Sequence, residues 1–140
     1  MSNESLTLAP SVGDALAELV VNPSPITLFR FSAVTWNPHR IHYDAGYAAT
    51  EGYPNVLVQS HLHGSFIAEC ALRWCGAGWA LVGLSWKNRG VAFASDRLTL
   101  TGHVESVAGE RVECVVEERN QAGEICATGR VVLMRKLESE

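Results

Sequence analysis

The sequence predicts an α+β domain in which one antiparallel sheet wraps around a single long helix. Three observations predict it. A stretch beginning near Ser60 carries apolar residues at helical spacing over several turns. After Gly78 the chain reads as strands cut by short turns. One helix cannot bury its apolar stripe alone, so a sheet must supply the other half of the core.

Residues 2–24 are mixed, with a short helix expected over Asp14–Val20 and closed by prolines at 23 and 25. A strand is expected over Ile26–Val34, where Ile26, Leu28, Arg30, Ser32 and Val34 alternate with Thr27, Phe29, Phe31 and Ala33. Thr35-Trp36-Asn37-Pro38 ends it, because proline cannot join a central ladder. A polar segment leads to His42-Tyr43-Asp44, and Asp44 suits the cap of a short helix over Tyr47–Thr50. Gly52-Tyr53-Pro54-Asn55 reads as a turn.

In the long helix, Leu62, Phe66, Ile67, Cys70, Ala71 and Trp74 recur at spacings of three and four and share one face. Ser60 suits its N-cap and Gly76 its stop. Trp79–Trp86 is nearly continuous apolar, as in a buried strand. Leu98, Leu100 and Val104 then alternate with Thr99, Thr101 and His103. A turn at Ala108-Gly109 leads to Val112, Cys114 and Val116, alternating with Glu113 and Glu117. A turn at Gln121-Ala122-Gly123 leads to the last strand, Ile125–Met134. These are meander signals. Strand, irregular segment, long helix and four strands is the layout of a hot-dog fold.

The bulk numbers fit one domain over residues 1–140 with a sizeable core. Hydrophobic residues are 47% and charged residues 19%, as in a globular chain. A net charge of -4 gives no pull toward nucleic acid or an anionic membrane. No apolar run reaches the roughly 20 residues of a spanning helix. Met1–Pro10 shows no secretory signal, so a cytoplasmic location is expected. Cys70, Cys75, Cys114 and Cys126 contain no Cys-x-x-Cys pair and are expected to be buried apolar residues rather than disulfides.

The chemistry concentrates between Leu28 and Asp44. Two histidines, an arginine, an asparagine and an aspartate crowd the turn between strand and helix. Phe29-Arg30-Phe31-Ser32-Ala33, His39-Arg40-Ile41-His42-Tyr43-Asp44 and Glu51-Gly52-Tyr53-Pro54 resemble the MaoC-like dehydratases. The branch they resemble includes the fungal-type fatty acid synthase dehydratase domain, the mitochondrial 3-hydroxyacyl-thioester dehydratases, and the mesaconyl- and itaconyl-CoA hydratases. Weaker echoes run through Val58-Gln59-Ser60 and Leu98-Thr99-Leu100-Thr101-Gly102.

The resemblance implies reversible addition of water to a 2-enoyl thioester carried on coenzyme A or acyl carrier protein, without a cofactor. Such a reaction moves a proton off water, moves one onto C2, and places charge on the thioester oxygen. His42 holds the position of the family's catalytic histidine, and histidine titrates near neutral pH. The wider family has an aspartate five residues earlier; this chain has Asn37, whose amide accepts from a water but is no base. The oxyanion donor is expected at the helix start, where Gln59-Ser60 replaces the family's His-Gly. The resemblance also implies sites built between two domains, hence a homodimer or higher even oligomer, or a pairing with a second hot-dog subunit.

Several of these residues carry two readings. Asp44 is a helix cap or assists His42. Asn37 beside Pro38 is a turn former or holds the water. Arg40 pairs with Asp44 or reaches the thioester's phosphates, as do Lys87 and Arg89 unless they are simply solvated. Tyr43 and Tyr53 pack or touch substrate. His61 and His63, with His39 and His42, raise a metal reading. A two-apart pair on a helix shares no face, however, and nothing completes a tetrahedron, so no metal is expected. Two further functions stay open: a thioesterase, for which Glu69 is the one helix carboxylate, and a non-catalytic hot-dog subunit.

Overall fold

The computed structural model describes residues 9–138, so the reading of Met1–Pro10 lies mostly outside it. Five strands form one antiparallel sheet: β1 (Leu19–Val21), β2 (Trp79–Asn88), β3 (Leu98–Ala108), β4 (Arg111–Arg119) and β5 (Ile125–Arg135). Their order across the sheet is β1-β3-β4-β5-β2. Among the described residues three α-helices precede β2: α1 (Pro25–Thr35), α2 (Ala45–Thr50) and α3 (Ser60–Cys75). The curled sheet around α3 is the hot-dog arrangement the sequence predicts.

The core lies between α3 and the inner face of the sheet. Leu62, Phe66, Ile67, Cys70 and Ala71 are buried as predicted, and Trp74 packs half-buried at the edge. They meet Leu98, Leu100 and Val104 of β3, Val112, Cys114 and Val116 of β4, and Val131 and Leu133 of β5. All four cysteines are free and buried, and burial pushes the Cys114 thiol up to about 12.

Close packing of α3 depends on two glycines. A Cβ on Gly64 would lie 2.8 Å from the Trp86 ring. One on Gly129 would lie 2.9 Å from Ile67 Cγ2 and 3.0 Å from the Ser85 carbonyl oxygen. Ile67 is fully buried and the carbonyl belongs to β2, so neither neighbour can easily yield. Gly129→Ala is therefore expected to cost about 1–3 kcal/mol by overpacking. A urea midpoint equal to the parent's would refute this.

Two expectations fail near the N-terminus. Residues 26–34 are not a strand but lie within helix α1. Ser24 is its N-cap, its hydroxyl accepting from Thr27 N–H at 3.1 Å, and Pro25 opens the first turn. Proline at N1 costs no hydrogen bond and has its φ preset for a helix, so it begins this element rather than closing the previous one. The residues facing the core are Leu28, Phe31 and Ser32, spaced three and four apart. The period-two pattern came from exposed apolar residues: Ile26, Phe29 and Val34 face outward, and Trp36 beyond the helix is 91% exposed.

The helix expected over Asp14–Val20 is also absent. This segment lies along the edge of β3 instead. Leu16 N–H donates to Gly102 O at 2.9 Å, Val104 N–H donates to Asp14 O at 2.9 Å, and Leu19–Val21 pair with Leu98–Leu100. A seven-residue helix is marginal by itself, and an open strand edge offers a full ladder. The sheet thus gains its fifth strand from Leu19–Val21.

Candidate active site

His42 ends a 3₁₀ turn, Arg40–His42, that follows α1. The turn is tightly held. His39 caps it, its Nδ1 accepting from Ile41 N–H at 3.2 Å. Leu57 N–H donates to Ile41 O at 2.9 Å. Asp44 caps α2 by accepting from Tyr47 N–H at 3.0 Å, which fixes the turn's far end. His42 is buried, and its Nδ1 lies 2.8 Å from Leu57 O. A carbonyl oxygen only accepts, so Nδ1 carries the proton and Nε2 of the neutral ring is a bare acceptor. Burial lowers the His42 pKa, with His39 adding to the effect, and outweighs the bond to Leu57 that raises it. The neutral form of the ring is therefore favoured.

A pocket of about 440 Å³ opens beside His42. Asn37, Ser60, His61 and His63 share its lining with Asn88, Gly90 and the apolar Leu57, Val58, Val91 and Ala92. Asn37 follows the left-handed Trp36 (φ 53°) that terminates α1. Its Oδ1 accepts from His39 N–H at a long 3.4 Å, which leaves a lone pair and the amide N–H₂ uncommitted among the described residues. Ser60 is the first residue of α3; Gln59, not Ser60, is the N-cap and makes no side-chain cap bond. The N–H groups of Ser60 and His61 have no acceptor among the described residues, while those of Leu62 and His63 turn back to Gln59 O. The partial positive charge of a 16-residue helix thus faces the pocket that holds His42. Trp86 Nε1–H donates to Ser60 Oγ at 3.3 Å and steadies that end.

Other predicted residues fall elsewhere. Arg40 and Asp44 pair at 2.8 Å, Arg40 also lies over the Tyr47 ring, and neither lines the pocket. The guanidinium holds the Asp44 carboxyl below the usual range, as suits a cap and ion-pair partner. Tyr43 O–H donates to Pro38 O at 2.7 Å, its ring edge-on to Phe29. Tyr53 stacks obliquely with Phe93. Gln59 is turned away from the pocket: its Nε2 donates to Leu28 O at 2.7 Å and Ser32 Oγ at 2.9 Å, tying α1 to the start of α3. Lys87 and Arg89 line a groove on the outer face of the sheet, while their neighbours Asn88 and Gly90 line the pocket. Arg89 Nε–H donates to Thr128 Oγ1 at 3.1 Å.

The sequence reading missed one pair. His63 Nδ1 lies 2.5 Å from Glu118 Oε1, and both side chains are almost fully buried. The signal was present. Glu118 continues the inward phase of Val112, Cys114 and Val116, where a carboxylate requires a partner. Among the described residues no group of three histidine, cysteine or acidic side chains is arranged to hold a metal.

The family model for hydroxyacyl-thioester dehydratase type 2 matches residues 9–94, more than half of the chain. The chain belongs to this family. Among curated relatives, mesaconyl-C(4)-CoA hydratase of Chloroflexus aurantiacus is 42% identical over 85 residues, 60% of this chain and 29% of that protein. The match thus spans less than a third of the relative's length. Among solved structures, R-hydratase PhaJ1 from Pseudomonas aeruginosa superposes with a TM-score of 0.84 at 26% identity, covering 91% of this chain and 83% of that one. A chain of the ChsH1-ChsH2 complex from Mycobacterium tuberculosis superposes with a TM-score of 0.83 at 21% identity, covering 90% and 98%. In this type 2 dehydratase family member, His42 and the free N-terminus of α3 lie on one pocket. Among the described residues no helix is long and apolar enough to cross a membrane.

Proposed function

We propose that this chain, read as one hot-dog unit over residues 1–140, adds water reversibly across the double bond of a 2-enoyl thioester. The observation that carries this is a neutral, buried His42 sharing one pocket with Asn37 and the free N–H groups at the start of α3. Water held by the Asn37 amide gives a proton to His42 Nε2 as its oxygen bonds to C3. The double-bond electrons move toward the thioester oxygen, which the Ser60 N–H stabilises. C2 then takes a proton, the carbonyl re-forms, and the product is a 3-hydroxyacyl thioester. Asp44 and Arg40 act at a distance, by fixing the turn that presents His42. Tyr43 and Tyr53 support the surrounding loop, and Gln59 sets the start of α3. Lys87 and Arg89, next in sequence to pocket residues Asn88 and Gly90, meet the carrier phosphates in this reading.

The substrate is an acyl-CoA or acyl-carrier-protein thioester. The exposed apolar residues of α1 and the ChsH1-ChsH2 similarity support work as a homodimer, a higher even oligomer or a pair with a second hot-dog subunit. Four free buried cysteines accord with a cytoplasmic location. Glu69 gives the thioesterase reading little support, since it pairs with Arg73 at 2.7 Å and among the described residues no carboxylate lines the pocket.

The test incubates the chain with 2-enoyl-CoA and 3-hydroxyacyl-CoA and follows both the conjugated double bond and free thiol. Reversible loss of the double bond is expected. Thiol release alone would replace this function with hydrolysis, and no turnover with stable binding to a second hot-dog protein would replace it with a scaffold role. The acid limb of kcat/KM is expected at a pH below 6.5, because the base must be unprotonated and burial holds His42 low. A limb above 6.5 would sink the assignment of His42 as a buried neutral base.

A further inference from the structure

Hydration moves two protons, one off water and one onto C2. His42 suits the first, since its free nitrogen is bare. It has no carboxylate behind it to compensate a positive ring. His63 differs on that point. It lines the same pocket, and its Nδ1 is bonded to the buried carboxylate of Glu118. With Nδ1 taken, Nε2 is the ring atom left to meet a ligand. The buried side-chain polar atoms sealed without a partner among the described residues are Gln59 Oε1 and Glu118 Oε2; His63 Nε2 is not one of them, and His63 lines the pocket. A carboxylate on one ring nitrogen compensates the charge an imidazole carries when both nitrogens are protonated, and it locks ring orientation. A buried pair of this kind contributes little net stability compared with apolar residues of the same size. The place of His63 on the pocket wall, with the second Glu118 carboxylate oxygen unpaired behind it, calls for a role beyond packing.

The geometry points to His63 as a second proton-transfer group, with Glu118 as its positioning residue, together delivering the proton that C2 receives. This step rests on the hydration chemistry proposed above. As water bonds to C3 and gives its proton to His42 Nε2, the electron pair reaches the thioester oxygen. It then returns to re-form the carbonyl while C2 takes the proton from His63 Nε2. His42 releases its proton to solvent and His63 regains one, so the chain ends as it began. In dehydration His63 takes the C2 proton and His42 protonates the departing hydroxyl. Around His63 the other titratable groups are His42 and His61 on the pocket and Cys126 of β5 near Glu118. Among the described residues no aspartate, lysine or arginine lines the pocket. The pair also supplies an acid/base function at a pocket where Asn37 cannot.

The test compares the parent, His42→Ala, His63→Gln and Glu118→Gln in dehydration of 3-hydroxyacyl-CoA, with and without deuterium at C2. For folded His63→Gln, kcat is expected to fall about 10²–10⁴-fold. KM should change little, and the C2-deuterium isotope effect should exceed the parent's, because C2–H cleavage becomes limiting. Glu118→Gln is expected to move both readouts the same way, more weakly. A purely structural role would not alter the isotope effect. If the glutamine variants do not fold, the paired His63→Leu/Glu118→Leu variant takes their place with the same two readouts. Folded variants with parental kcat and isotope effect, beside an inactive His42→Ala, would overturn the role of His63 and leave the proposed function standing. A parent that neither hydrates nor dehydrates would overturn both.

Discussion

His42→Ala is expected to lower kcat/KM for 2-enoyl-CoA hydration about a thousandfold, the range for loss of a positioned general base. The residual rate would come from the α3 N-terminus and from binding, which the substitution leaves in place. Stability should change little, because the hydrogen bond lost is one to the Leu57 carbonyl at the edge of a pocket. His42→Gln sharpens the test, since an amide can keep the bond to Leu57 but accepts no proton. It should be as slow as the alanine variant while melting like the parent. Hydration by either variant at the parental rate would remove His42 from the chemistry.

The second large effect concerns folding. His63→Ala is expected to destabilise the chain by about 3–5 kcal/mol, because it strands a carboxylate deep in the core. Glu118 is fully buried and its Oε1 is bonded to His63. Replacing both residues by leucine should recover most of that loss, since apolar pairs of similar volume serve a core at least as well. Urea denaturation of the parent, the single variant and the double variant measures the contrast. A His63→Ala midpoint close to the parent's would mean that the carboxylate has another partner or is neutral in the fold.

The sequence by itself determined the central helix, the inward phases of β3, β4 and β5, the burial of the cysteines, and the block around His42. Each is a local pattern: an apolar period, a turn residue, or a motif whose spacing survives folding. It also offered Asp44 as a cap and Arg40 as its partner, beside their readings as an aid to His42 and a phosphate contact, and the structure shows the cap and the pair. Only the tertiary structure decided the rest. Ile26–Val34 reads as a strand by period and propensity, yet Ser24 and Pro25 start a helix there and the core accepts Leu28, Phe31 and Ser32. Asp14–Val20 reads as a short helix, yet the open edge of β3 claims it. Gln59 looks like a substrate contact by position and is an internal strut by orientation. Above all, His63 and Glu118 stand 55 residues apart and meet only when β4 closes over α3. Partners so distant leave no spacing to read; a carboxylate on an apolar phase announces that a partner exists, and the curl of the sheet decides which one.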